Sequence, residues 1–235
     1  MLADLSKGVT LYFTPVLMLT ALLLALFAYL APTVMLHSQV ALLTVTPSSS
    51  LTQPGSTQGV DGPSIFLGAL GSCSRPNNAA GLVCMSPSIS PVYDTSVFPS
   101  NAPSAVISAP PASAPAFIAV ALVFSAIFFV TFTAISFRHF MGKAGAVWEK
   151  PMVQRVSAWL GIFSFLLGLA SFLIVFMWFG KAVVDFNQSI QGQGSNGPQL
   201  VAQTGNAFTM VWVAYAFFAI PVIVSLAKLH VLATK

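Results

Sequence analysis

Cys73 and Cys84 are the two cysteines among the 235 residues, and they are where reactive chemistry would have to start. Two thiols can pair, hold a metal or act as nucleophiles. Zinc asks for four ligands drawn from Cys, His and carboxylate side chains. No histidine stands near either cysteine in the sequence, so no metal is expected. The acidic residues of the stretches 37–116 and 180–207 are Asp61, Asp94 and Asp185, too thin for a calcium site of about six to eight oxygens. No histidine–nucleophile arrangement, carboxylate pair or phosphate-binding loop is present. The expectation is therefore no enzyme activity and no cofactor.

What remains is the pair itself. A Cys73–Cys84 disulfide would close a hairpin, and on the oxidising side of a membrane such a bond persists. Two free, buried thiols are the alternative. The intervening Ser74-Arg75-Pro76-Asn77-Asn78 is good turn chemistry, because Asn tolerates positive φ. Closing a loop of this length contributes about 3 kcal/mol in the chain-entropy model. Gly68 and Gly71 stand just before Cys73. Glycine at a strand end marks a bulge or close approach of another backbone, here of the strand on the helix ends.

These residues need a frame, and composition says what it is. Hydrophobic residues make up 56% of the chain and charged residues 6%, against about 25% charged in an ordinary soluble domain. Much of the surface must face lipid. Four apolar runs, at 9–36, 116–137, 156–179 and 208–229, approach or exceed the roughly 20 residues that cross a bilayer, and none carries a charge in its core. The first is too long for the roughly 7–15-residue core of a cleaved signal peptide, so it reads as an anchor helix. Charge-free spans argue against a pump or coupled transporter. Arg138, Lys143, Lys150 and Arg155 form a basic loop between the second and third runs. By the positive-inside rule that loop and both termini are cytoplasmic, and the loops 37–116 and 180–207 lie on the far side. The basic loop serves as a topological anchor, with attraction to anionic lipid as its alternative use. It forms no stripe for nucleic acid.

Within the loop 37–116, residues 39–45 and 64–70 read as strands and 81–85 as a third, edge strand. Residues 47–62 read as a flexible linker and 86–115 as a Pro/Ser-rich stretch with little regular structure. Residues 188–206 read as a flexible second loop, and Asn187-Gln188-Ser189 is a glycosylation sequon. Lys181 and Asp185 have i, i+4 spacing for a pair. His37, at a membrane boundary, is either simply solvated or a pH-sensing group, since imidazole changes charge near neutrality. Two phenylalanine stripes, at 124, 128 and 132 and at 165, 172, 176 and 179, suit helix packing or lipid contact. The small-residue pairs Ala121/Ser125 and Ser164/Gly168 suit close helix approach within one bundle.

Gly68, Gly71, Cys73 and Cys84 in a long first loop, with four apolar runs and cytoplasmic termini, resemble the claudin-type tetraspan superfamily. Lacking a tryptophan before Cys73, the motif is most similar to the fungal branches, the eisosome/PalI family and the mating-induced family linked to calcium influx. The resemblance covers the layout of the whole chain, residues 1–235, as one membrane domain. It implies a mainly α, four-transmembrane-helix bundle with a small extracellular antiparallel β-sheet. It implies a plasma-membrane scaffold that organises membrane compartments through lipids, other integral membrane proteins or copies of itself. The alternative it implies is a regulatory subunit of an ambient-pH sensor, a calcium-influx system or a cell-wall synthase.

Overall fold

A computed structural model describes residues 12–53 and 60–233. Helix α1 is Thr14–Leu30, followed by strands β1 (Leu43–Pro47), β2 (Ser64–Leu67), β3 (Ser72–Arg75) and β4 (Val83–Cys84). Helix α2 is Ser113–Ser136, and a short helix α3 (Gly145–Glu149) precedes the long α4 (Pro151–Gln193). Strand β5 (Leu200–Thr204) and helix α5 (Ala207–Ala233) complete the described residues.

Among the described residues, three helices are long and apolar enough to cross a membrane: α2, α4 and α5. The molecule is thus a multi-pass membrane α-protein carrying a small sheet. Helix α1 is as apolar but has 17 residues, about 25 Å at the α-helical rise. The expected run 9–36 therefore ends early, at Leu30, and gives way to turns before Pro32; residues 9–11 lie outside the described residues. Pro32 has no N–H to continue the ladder, and it disfavours helical geometry at Ala31. The third helix is longer than expected. Its 43 residues span about 64 Å, so about half of the loop expected at 180–207 is helix.

The chain divides into two compact units. One takes α1 as far as Leu26, then Phe117–Ala170 and the chain from Val211. In it, small residues let helices approach and polar hydroxyls bridge them. Ser125 and Ser164 share a hydrogen bond at 2.6 Å, and Ser164 also donates to the Ala121 carbonyl at 3.3 Å. One turn of α4 beyond Ser164, Gly168 faces Tyr215 and Ala121. The two small-residue pairs thus meet within one bundle, as expected. Phe128 and Phe132 are buried, and Phe128 stacks near Phe218 at 5.8 Å, so that stripe packs helices.

The other unit takes Phe27–Ala116 and Ser171–Met210. Its five-stranded antiparallel sheet has the order β4-β3-β2-β1-β5. The middle strand β2, Ser-Ile-Phe-Leu, is buried throughout, which is why it reads as an uninterrupted apolar run. Two findings correct the sequence reading. The strand expected at 64–70 stops at Leu67, turns, and returns as β3. Part of the loop expected to be flexible at 188–206 is strand β5, paired with β1 from Leu43↔Thr204 to Pro47↔Leu200. Asn206 holds this end in place, donating from Nδ2 to the Gln39 carbonyl at 2.7 Å.

The stretch 86–115 has little regular structure, as expected, but it is docked. Tyr93 lies against Phe179, Phe98 against Phe186, and Gln193 Nε2 donates to the Asn101 carbonyl at 3.1 Å. Those α4 positions are seven residues apart, two helical turns, and so share one face. The stretch then returns to Trp178, whose Nε1 donates to the Ser108 carbonyl at 3.0 Å.

Candidate functional site

The turn between β2 and β3 sets the geometry around the cysteines. Gly68 N–H donates to the Gly71 carbonyl at 2.9 Å, which leaves Ala69 and Leu70 as a two-residue tip, both buried. A Cβ on Gly68 would stand 2.1 Å from the Ala31 carbonyl oxygen and 2.5 Å from Pro32. Backbone lies where a side chain would go, so the close approach read from the glycines is present, against the turn that follows α1. Gly71 has φ of +155°, and a Cβ there would press on the Thr33 methyl at 2.9 Å; L-residues rarely adopt that conformation. Tyr93 seals the turn from above the strand end, donating from its hydroxyl to the Gly68 carbonyl at 2.8 Å. Burial raises the Tyr93 pKa well above its ordinary value, so the phenol keeps its proton and stays a donor.

Past the turn, Cys73 and Cys84 face each other directly in the β3–β4 ladder and are joined by a disulfide. The bridged pair is the expected state. Phe66, opposite Cys73 on β2, and Ala41 pack with it in one small apolar cluster. Cys73 is fully buried, while Cys84 is half-buried.

The structure brings one residue to this site that sequence spacing hid. His37, far from both cysteines in the chain, places Nδ1 3.5 Å from Cys84 Sγ and 4.0 Å from Cys73 Sγ. The expectation that no histidine lies nearby is corrected: the turn after α1 folds His37 back onto the strands. The three donor atoms lie within 4.8 Å of one another, but the bonded sulfurs are not thiolates and cannot serve as zinc ligands. His37 Nδ1 also contacts the Pro32 carbonyl. A carbonyl only accepts, so Nδ1 carries the proton toward it and has no free lone pair to offer a metal. His37 is accordingly a donor to the Pro32 carbonyl beside the clasp, not a metal ligand through that nitrogen.

Other expected residues sit elsewhere. Asn187 is half-buried and clamps β5: Nδ2 donates to the Ala202 carbonyl and the Ala202 N–H donates to Oδ1, both at 2.9 Å. The sequon asparagine thus has a structural task in the strand that sequence reasoning missed. Arg138 pairs with Glu149 at 3.5 Å, while Lys143, Lys150 and Arg155 are exposed. The Lys181–Asp185 pair forms at 2.6 Å, inside α4. Asp94 holds the Ser96 N–H at 3.0 Å; the Ser96 hydrogen bonds keep its carboxyl below the usual range.

One further feature adjoins the clasp. Val83 is 68% exposed and Val92 70% exposed, with Met85 and Ile89 exposed between them. Val83 is on the edge strand that the disulfide holds and Met85 follows it, while Ile89 and Val92 lie five and eight residues beyond the strand's end. No family model, curated protein or solved structure matches this chain. Fold and site together define a class: a multi-pass membrane α-protein with a disulfide-clasped antiparallel sheet.

Proposed function

We propose that the chain is a non-enzymatic plasma-membrane scaffold, with four helices across the bilayer and both termini cytoplasmic, as in the claudin-type family that its glycine–cysteine motif resembles. It gathers other integral membrane proteins, or copies of itself, through the margin of the sheet beside the disulfide. The observation that carries this reading is the set of exposed apolar side chains Val83, Met85, Ile89 and Val92 on and after a covalently fixed strand. Clusters of exposed apolar side chains on a rigid support are a feature of interaction sites. The clasp itself is buried at Cys73, so it holds the surface in place and leaves contact to the residues beside it.

Gentle detergent extraction tests the reading. A stoichiometric complex, or a homo-oligomer, is the expected product. Val83→Ser with Val92→Ser should release it while the disulfide stays intact. A diffusely distributed, monomeric protein at native expression contradicts the proposal.

A second reading, a regulatory subunit of an ambient-pH sensor, has one observation in its favour: His37 lies against both sulfurs of the clasp and the Pro32 carbonyl. Under it, His37→Gln would abolish the pH response of the partner assembly and leave assembly itself intact. An unchanged pH response in that variant removes this reading.

A further inference from the structure

A groove of about 570 Å³ runs along α4 in the sheet-bearing unit, within the size range of ligand sites. Its walls are Val106 and Ser108 on one side, and on the other Ile174, Met177 and Trp178 of α4. Lys181 and Asp185 close one end of it. Trp178 is fixed by its bond to the Ser108 carbonyl, so its ring forms a rigid wall. The wall residues are not covered: Met177 is 71% exposed and Ile174 51% exposed.

The sequence says where this groove lies relative to a bilayer. Between Arg155 and Lys181 the helix carries no charge, a length of about 37 Å at the α-helical rise. That exceeds the hydrocarbon thickness of about 30 Å. Lys181 therefore marks one edge of the membrane, with Trp178 at the interfacial depth that tryptophan favours. Ile174 and Met177 sit on the hydrocarbon side, and Asp185 is one turn further out, about 6 Å along the axis.

The order of charges then selects an occupant. Leaving the hydrocarbon, α4 presents a cation and then an anion. A zwitterionic phospholipid presents the reverse, with its phosphate nearer the chains and its ammonium outward. We propose that the groove binds a zwitterionic phospholipid from the bilayer. Lys181 receives the phosphate, Asp185 receives the ammonium, and one acyl chain lies along Trp178, Met177 and Ile174. The existing Lys181–Asp185 pair does not forbid this, because exposed i, i+4 pairs contribute little and exchange partners readily. An anionic lipid without the ammonium would meet Asp185 with a repulsive or empty contact. The inference depends on α4 crossing a membrane and not on the scaffold reading.

The test uses the full chain with Trp148, Trp159 and Trp212 replaced by Phe, leaving Trp178 as the sole reporter. It is reconstituted in phosphatidylglycerol vesicles containing a minor share of phosphatidylcholine brominated on its acyl chain, and in the converse mixture. Quenching of Trp178 should show phosphatidylcholine enriched about threefold over its bulk share, the size expected for exposed charge pairs. Exchanging the charges, Lys181→Asp with Asp185→Lys, keeps an i, i+4 pair but reverses its order. That variant should fold with an unchanged melting temperature and lose the enrichment. Quenching that follows bulk composition in both proteins overturns the proposal, leaving ordinary lipid contact. Absence of quenching by either lipid, with a Met177→Cys variant forming an intermolecular disulfide, overturns it in favour of a second copy as occupant.

Discussion

The two compact units hold themselves together by different means. In the helical unit the backbone is satisfied inside each helix, and packing adds a few hydroxyl bridges such as Ser125–Ser164. In the sheet-bearing unit short strands must find their partners across long loops. There the work falls to backbone close approach at Gly68, a disulfide, the Tyr93–Gly68 bond and the Asn187 clamp. The first arrangement spreads stability over many small contacts. The second concentrates it in a handful of residues, so the units should respond to substitution on different scales.

The largest effect is expected at Gly68. Gly68→Val puts a branched side chain into the Ala31 carbonyl and should cost on the order of 4 kcal/mol, seen as loss of the folded sheet by limited proteolysis in detergent. Retention of a native melting temperature would erase the contrast between the units. Next is Cys73→Ser with Cys84→Ser, expected to cost about 3 kcal/mol. Hydrogen exchange should accelerate in β3 and β4 while α2 and α5 keep their protection. Asn187→Ala removes two bonds to β5 and should cost about 1–3 kcal/mol, with faster exchange at Val201 and Ala202. In the helical unit, a Ser125→Ala and Ser164→Ala double-mutant cycle should return a coupling of only about 0.6 kcal/mol.

The smallest effect is a pH dependence. The Ser96 hydrogen bonds hold the Asp94 carboxyl below its unfolded value. A depressed carboxyl contributes stability that is present above the unfolded pKa, about 3.9, and lost as pH falls through the folded one. Asp94 stands at an open part of the surface, so the effect is slight. Melting temperatures of the protein and of Asp94→Asn should differ near neutral pH, begin to converge as pH falls below about 4, and meet only below the depressed folded pKa.

The long helices were plain in the sequence, because a charge-free apolar run of some 20 residues suits a membrane span and little else. The clasp was legible too, since both cysteines stand in one polar loop with turn-forming residues between them. Three elements escaped for identifiable reasons. Strand β3, Ser-Cys-Ser-Arg, buries Ser72 and Ser74, and no apolar pattern reports a buried serine. Strand β5 lies among Gly, Gln and Asn, with only Leu200 and Ala202 turned inward. The extension of α4 beyond the apolar run did leave a signal. Phe179, Ala182, Phe186 and Ile190 recur at helical spacing and are all buried, a stripe that the surrounding polar residues masked. His37 carried no signal at all, because its approach to Cys84 comes from tertiary folding.

The most direct test of the central claim sets the exposed margin of one unit against an exposed helix face of the other. A photo-reactive residue at Val92, 70% exposed, is compared with one at Val130, 60% exposed, in native membranes. One dominant protein adduct at Val92, in fixed stoichiometry, and lipid adducts alone at Val130 are expected. Lipid adducts alone at both positions would contradict the claim.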